Sequence, residues 1–227
     1  MCGRYTLTLS PADLEMRFGT TMPQAARGGR YNVAPTEDIL TVARSRETGQ
    51  REGRVDAWGL WGKPVINVRS ESVLEKAGFR RLAELPSCRC LIAADGFYEW
   101  LKSEDKRRPR EPFRFTVDEG APFAFAGLCS RGTAAILTCA PNPLVARLHD
   151  RMPVILAGPE AEEAWLHPEV SVEEALSYCV PLDAARMASA PVSRRVNKAG
   201  PDVEGPDLLV PDAAEEPVPD AQTQLFA

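Results

Sequence analysis

The chain has 227 residues, 44% of them hydrophobic, which suits one large domain or two small ones with a real core. It opens on Met1-Cys2-Gly3-Arg4-Tyr5-Thr6-Leu7 without the apolar stretch of a signal peptide, and no run approaches a membrane span, so a cytoplasmic protein is expected. The formal charge of −5 hides an asymmetry: seven acids in 201–227 and no Lys or Arg after Lys198 leave a body of charge +2, which neither demands nor excludes nucleic acid.

At the start of the chain, removal of Met1 would make Cys2 an N-terminal residue, with a free α-amine beside its thiol. Such a 1,2-aminothiol condenses with an aldehyde to an imine, and the thiolate then closes a five-membered thiazolidine ring. Reference pKa values of about 7.7–8.0 for the amine and about 8.5 for the thiol leave both partly available near neutral pH. Position alone leaves an incidental second residue open as well.

Ser10-Pro11-Ala12-Asp13 predicts a helix start, with Ser10 as N-cap, Leu14 and Phe18 on one face, and Gly19 at the end. Residues 27–35 read as a loop. Strands are predicted at 39–44, 54–60 and 64–69, a brief helix near 72–77, and a strong strand at Cys90–Ala93. Further strands follow at 113–117, 123–128 and 134–139, helices at 143–148, 160–166 and 172–178, and a last strand from Pro191 to Val196. Strands outnumber helices without alternating regularly with them. That predicts an α+β domain over 2–198 with curved, mostly antiparallel sheets and peripheral helices. From 199 the composition turns to Pro, Asp, Glu and Ala, and 199–227 reads as an acidic, Pro-rich flexible tail unable to bury a core.

Six cysteines stand at 2, 88, 90, 129, 139 and 179. Cys88-Arg89-Cys90 is not a CxxC pair and no second pair follows, so no metal site is expected. Cys90, Cys129 and Cys139 sit in apolar runs and read as small buried hydrophobes.

Several polar residues are candidates for chemistry. Glu99 lies among aromatics in Asp95-Gly96-Phe97-Tyr98-Glu99-Trp100, where apolar surroundings would raise its pKa toward neutrality; an edge-strand acid facing solvent is the other reading. Asp95, next to Gly96, reads as a turn residue. Of the two histidines, His167 reads as a solvated helix end. His149 sits between a helix and a strand in Leu148-His149-Asp150-Arg151-Met152-Pro153, placed for catalysis or for capping that helix. Asn67 and Arg69 project from one strand face, one to orient a substrate and one to bind phosphate, or both at a plain surface strand end. Arg4, Arg69 and Arg151 could meet in space, and Trp58, Trp61 and Trp100 offer a stacking face for bases or ordinary core packing.

Taken in order, these stretches resemble one family. The segments are Met1–Tyr5, Tyr31–Pro35, Trp58–Leu60, Asn67–Glu71, Arg89–Ile92, Gly96–Trp100, Ala126–Leu128, Ile136–Thr138, His149–Val154 and Val196–Asn197. The set resembles the SRAP (SOS response-associated peptidase) family, the abasic-site processing or shield proteins of the HMCES/YedK type. Three features depart from the family pattern: a short Trp61–Ile66 segment, Cys129 in place of an aromatic, and Val68 in place of a smaller residue. The resemblance implies a one-domain α+β fold with a barrel-like β core, acting as a monomer on abasic sites in single-stranded DNA with no metal or cofactor. It implies Cys2 as nucleophile toward the sugar aldehyde, with Glu99 handling protons. His149 would assist ring opening or Schiff-base interconversion, and Asn67 would orient the sugar and the N-terminus. Arg4, Arg69 and Arg151 would hold phosphates, Asn32 would line the N-terminal pocket, and Trp100 and Thr138 would join the DNA contacts. Action would be in the cytoplasm, at damaged DNA of the nucleoid.

Two other readings stay open: an N-terminal-cysteine peptidase, with self-removal of Met1 as its minimal form, and a non-catalytic single-strand-binding module. The chain's end adds Gln222, Leu225 and Phe226, a Q-x-x-L-F pattern like the short peptides that dock on the bacterial sliding clamp.

Overall fold

The structure is a computed structural model that describes residues 2–26, 28–101 and 110–212. Its backbone is two sheets. The first has the order β12-β8-β7-β1-β2, from β1 (Tyr5–Leu7), β2 (Arg30–Val33), β7 (Gly96–Leu101), β8 (Glu111–Val117) and β12 (Met187–Pro191), all antiparallel. The second contains β3 (Asp38–Arg44), β4 (Arg51–Trp58), β5 (Asn67–Arg69), β6 (Arg89–Ala94), β9 (Phe123–Ser130), β10 (Thr133–Cys139) and β11 (Met152–Pro153). It curls into a ring, because β10 pairs with β4 on one side and with β9 on the other. Among the described residues, only the β10–β4 and β10–β5 pairings are parallel. The α+β class and the curved, mostly antiparallel core expected from the sequence are what the fold has.

The ring is filled by side chains rather than left open. Tyr5, Trp58, Phe97, Phe115, Phe123 and Phe125 are buried, and Tyr5 meets Trp58 and Phe125 edge-on at ring centroids 5.3 and 5.8 Å apart. Helix α1 (Pro11–Phe18) forms as predicted. Ser10 and Asp13 make a reciprocal capping box, Leu14 and Phe18 are buried, and Gly19 ends the helix in the left-handed region at φ 64°. Helices α3 (Pro159–Leu166) and α4 (Val172–Ser177) fall where expected.

Other local expectations fail. The helix near 72–77 is a 3-10 turn at Ser70–Ser72, followed by α2 at Ala77–Glu84, whose buried Leu82 and Ala83 set its inner face. The segment 143–148 holds only a 3-10 turn at Val145–Arg147, and the last strand ends at Pro191, before a 3-10 turn at Arg194–Asn197. Part of the supposed 27–35 loop is strand β2, an edge strand too short to show periodicity.

Gly96 opens β7 rather than a turn. A Cβ there would sit 2.5 Å from Arg114 Nε and 2.8 Å from Thr6 Oγ1, so glycine is required by close packing. Asp95 ties this corner together, accepting from Thr6 Oγ1 at 2.5 Å, Thr8 Oγ1 at 2.6 Å and Arg114 Nη2 at 3.1 Å.

The tail assignment also changes. Residues up to 212 pack on the body: Leu208 is fully buried in a small cluster with Tyr98, Val192 and Val196. Asp212 caps the turn at Ser193–Arg194. Average composition concealed one apolar anchor in a polar segment. Met1 and the Gln222, Leu225 and Phe226 pattern lie outside the described residues.

Candidate active site

β1 pairs with β7 with Tyr5 opposite Phe97 and Thr6 opposite Gly96. Continuing that register sets Glu99 opposite Gly3, beside Cys2. Both Cys2 and Glu99 are buried, at 0% and 2% exposure. Strand β5, carried on the edge of β10, brings Asn67 to the same place. Asn67 Nδ2 donates to the Cys2 carbonyl at 2.8 Å. The other amide atom, Asn67 Oδ1, is buried and has no hydrogen-bond partner among the described residues.

The electrostatics of this corner are uneven. Burial pushes the Cys2 thiol well above its ordinary pKa, and the Glu99 carboxylate pushes it further, against the pull of the positive amino terminus. Burial also pushes the Glu99 carboxyl up to about 7, while the amino terminus lowers it and Asp150 raises it. Glu99 therefore exchanges protons near neutral pH, the range in which a general acid and base works best.

Asp150 belongs to the loop that carries His149, so this loop lies within electrostatic reach of Glu99. His149 is 23% exposed. Its Nδ1 accepts the Arg151 backbone N–H at 3.0 Å when unprotonated, and lies 2.9 Å from Asp150 Oδ1, within ion-pair range when protonated.

The three arginines have different partners. Arg4 Nη1 donates to Asn32 Oδ1 at 2.7 Å and to the carbonyls of Val196 at 2.7 Å and Lys198 at 3.2 Å. Asn32 Nδ2 donates to the Lys198 carbonyl at 2.9 Å and the Val203 carbonyl at 3.3 Å. Arg4 and Asn32 thus lock the C-terminal segment onto β1 and β2. Arg151 Nη2 donates to the Thr138 carbonyl at 2.7 Å and to Glu71 Oε2 at 2.8 Å, and Nη1 pairs with Glu71 Oε1. Arg69 is exposed, stands in register with Thr138, and makes no side-chain hydrogen bond or ion pair among the described residues.

The expected stacking and DNA-contact groups separate likewise. Thr138 is fully buried, and its hydroxyl accepts from Arg151 Nη2 at 3.3 Å. Trp58 is buried core, with its indole N–H on the Ile66 carbonyl at 3.0 Å. Trp61 is 42% exposed and stacks on Phe79 at 5.4 Å, while Trp100 is half-buried with its N–H on Asn197 Oδ1 at 2.6 Å. Sequence reasoning passed over Glu71, two residues after Arg69, and Asp150, between His149 and Arg151, both within quoted motifs. All six cysteines are buried and unpaired. Among the described residues, no group of three or more His, Cys, Asp or Glu is arranged to hold a metal ion. No helix among them is long and apolar enough to cross a membrane.

Comparison with known proteins fits this corner into a wider pattern. Residues 1–199 match the sequence model of a family described as "SOS response associated peptidase (SRAP)". The chain is 36% identical over 230 residues to the abasic site processing protein YoqW of Bacillus subtilis (strain 168), covering 92% of this chain and 99% of that one. It is 34% identical over 236 residues to the abasic site processing protein YedK of Escherichia coli (strain K12), covering 93% and 100%. Among solved structures, a Bacteroides thetaiotaomicron protein superposes with a TM-score of 0.80 at 23% identity over 93% of this chain and 100% of that one, which speaks for the fold alone. A phage-related protein of Bordetella bronchiseptica gives a TM-score of 0.67 at 27% identity over 84% and 94%.

Proposed function

The chain belongs to the SRAP family, and from that premise we propose that it processes abasic sites by linking Cys2 covalently to their aldehyde in single-stranded DNA. The observation that carries this reading is the corner where Asn67 grips the Cys2 carbonyl and Glu99, with a pKa of about 7, is buried beside it.

Hydrolytic removal of Met1 gives Cys2 its free amine. The amine adds to the C1′ aldehyde of the ring-opened sugar, forming a carbinolamine. Protonated Glu99 supplies the proton that lets the hydroxyl leave as water, giving the imine. The Cys2 sulfur then bonds to the former aldehyde carbon. Its proton passes to the Glu99 carboxylate, and the imine nitrogen takes back the proton it released when the imine formed, becoming the ring amine. One water is released overall, and no redox step occurs. Asn67 Oδ1, buried and open, offers an acceptor to the new amine next to the carbonyl that Asn67 Nδ2 already holds. Closing the ring removes the imine, which otherwise promotes β-elimination and strand scission.

The test is incubation with single-stranded abasic DNA followed by denaturing electrophoresis. A heat-stable shifted band is expected for the processed chain, and none for Cys2→Ala or for a chain with an extra residue before Cys2. A complex that salt dissolves, with no stable band, contradicts the covalent reading. Peptide turnover in the absence of DNA would instead favour an N-terminal-cysteine peptidase.

A further inference from the structure

The three arginines expected at phosphates differ in what holds them. The partners of Arg4 include two backbone carbonyls of a packed segment, which cannot be given up without moving the chain. Arg69 is exposed and unpaired among the described residues. Arg151 lies between these cases. It is only 11% exposed, and its fork is closed by a bidentate pair with Glu71, a carboxylate that is itself 52% exposed. Nη2 of the same fork also donates to the Thr138 carbonyl at 2.7 Å, a backbone group of β10. One face of the guanidinium is therefore built into the fold, while the other is covered by a single surface side chain on the 3-10 turn after β5.

We propose that Glu71 occupies, in the DNA-free protein, the place on Arg151 that a DNA phosphate takes on binding, so that Glu71 sets the threshold for strand capture. A carboxylate and a phosphate offer the same two-oxygen face to an arginine fork. Exposed ion pairs are weak, so a polyanionic strand can displace Glu71 where a lone anion would not. The hydrogen bond from Arg151, with a smaller pull from Arg69, holds the Glu71 carboxyl below its ordinary pKa, and Arg69, in register with Thr138, would meet the same phosphate run. Until a strand arrives, the pair keeps the arginine oriented and neutralised beside the reactive corner. This inference rests on the single-strand reading above and adds Glu71 as a determinant of affinity.

The test is the affinity for an undamaged single-stranded oligonucleotide, which separates capture from crosslinking. Glu71→Gln should tighten binding about three- to fivefold at low salt, the scale of a lost exposed ion pair. Arg151→Gln should weaken binding, and adding Glu71→Gln to it should recover less than half of that gain. Weaker or unchanged binding by Glu71→Gln overturns the proposal. So does an equal gain in both backgrounds, which would mark a diffuse charge effect. If the Arg151 variant does not fold, the wild-type chain supplies a second readout through the Glu71 carboxyl resonance. Its depressed titration should rise when the oligonucleotide saturates the protein, and a titration that stays depressed overturns the exchange. Absence of any strand binding by the wild-type chain would instead defeat the single-strand reading itself.

Discussion

The Asn67 side-chain amide donates to the Cys2 carbonyl at 2.8 Å, tying the second residue of the chain to a strand on the second sheet. That bond fixes the direction of the N-terminus where no secondary structure does, since β1 begins only at Tyr5. Asn67→Ala should slow adduct formation by about 10- to 100-fold, the scale of lost positioning, while costing only about 1 kcal/mol of stability. Single-turnover gel kinetics and a thermal melt read the two effects separately. A large loss of stability with unchanged kinetics would make the bond structural only.

Glu99 gives a pH signature of definite sign. Its carboxyl titrates near 7 in the fold instead of near 4.5, so between these values the folded state holds a proton that the unfolded state has lost. Its contribution therefore favours the fold at low pH and falls as pH rises from about 4.5 through 7, by up to about 3 kcal/mol in all. Glu99→Gln should flatten that part of the stability curve. It should also slow crosslinking by roughly 10²–10⁴-fold and remove the inflection of the rate near pH 7. An unchanged inflection would assign it to the N-terminal amine.

Arg4 and Arg69 should respond in opposite ways. Arg4→Gln removes bonds to two carbonyls and to Asn32 and should lower the melting temperature, with a cost of about 1.5–3 kcal/mol. Arg69→Ala should leave the melt unchanged and make the log–log salt slope of strand binding shallower by about 0.7. A sequence-selective loss for Arg69→Ala would contradict a phosphate contact, because phosphates carry little sequence information.

Leu208 tests the extent of the folded unit. It is fully buried beyond the family match, which ends at residue 199. Leu208→Ala should cost about 2–5 kcal/mol, with the loss visible in the melt. A neutral result would mean that the segment after 199 rides on the domain without stabilising it.

How legible each part was follows from the range of the forces involved. The α1 cap could be read directly, because Ser10, Asp13 and Gly19 act within one short segment. Cys2, Asn67 and Glu99 stood out through the ordered motifs, and the pairing of β1 with β7 explains why they converge. Arg4 showed its charge in the sequence but not its partners, since the Val196 carbonyl lies 192 residues away. Strand β7 was hidden because Gly96 looked like a turn residue, whereas it answers to crowding by Arg114 and Thr6. Trp58 left stacking and core packing both open, and Thr138 entered as a DNA contact; closure of the ring buries both, which no local pattern announces.

The most direct test of the central claim is the intact mass and fragment map of the adduct formed with an abasic oligonucleotide, without added reductant. The account predicts a mass equal to the chain lacking Met1 plus the oligonucleotide minus one water, with the link confined to Cys2 and its amine no longer free. An adduct that retains Met1, or a link on any lysine, would contradict it.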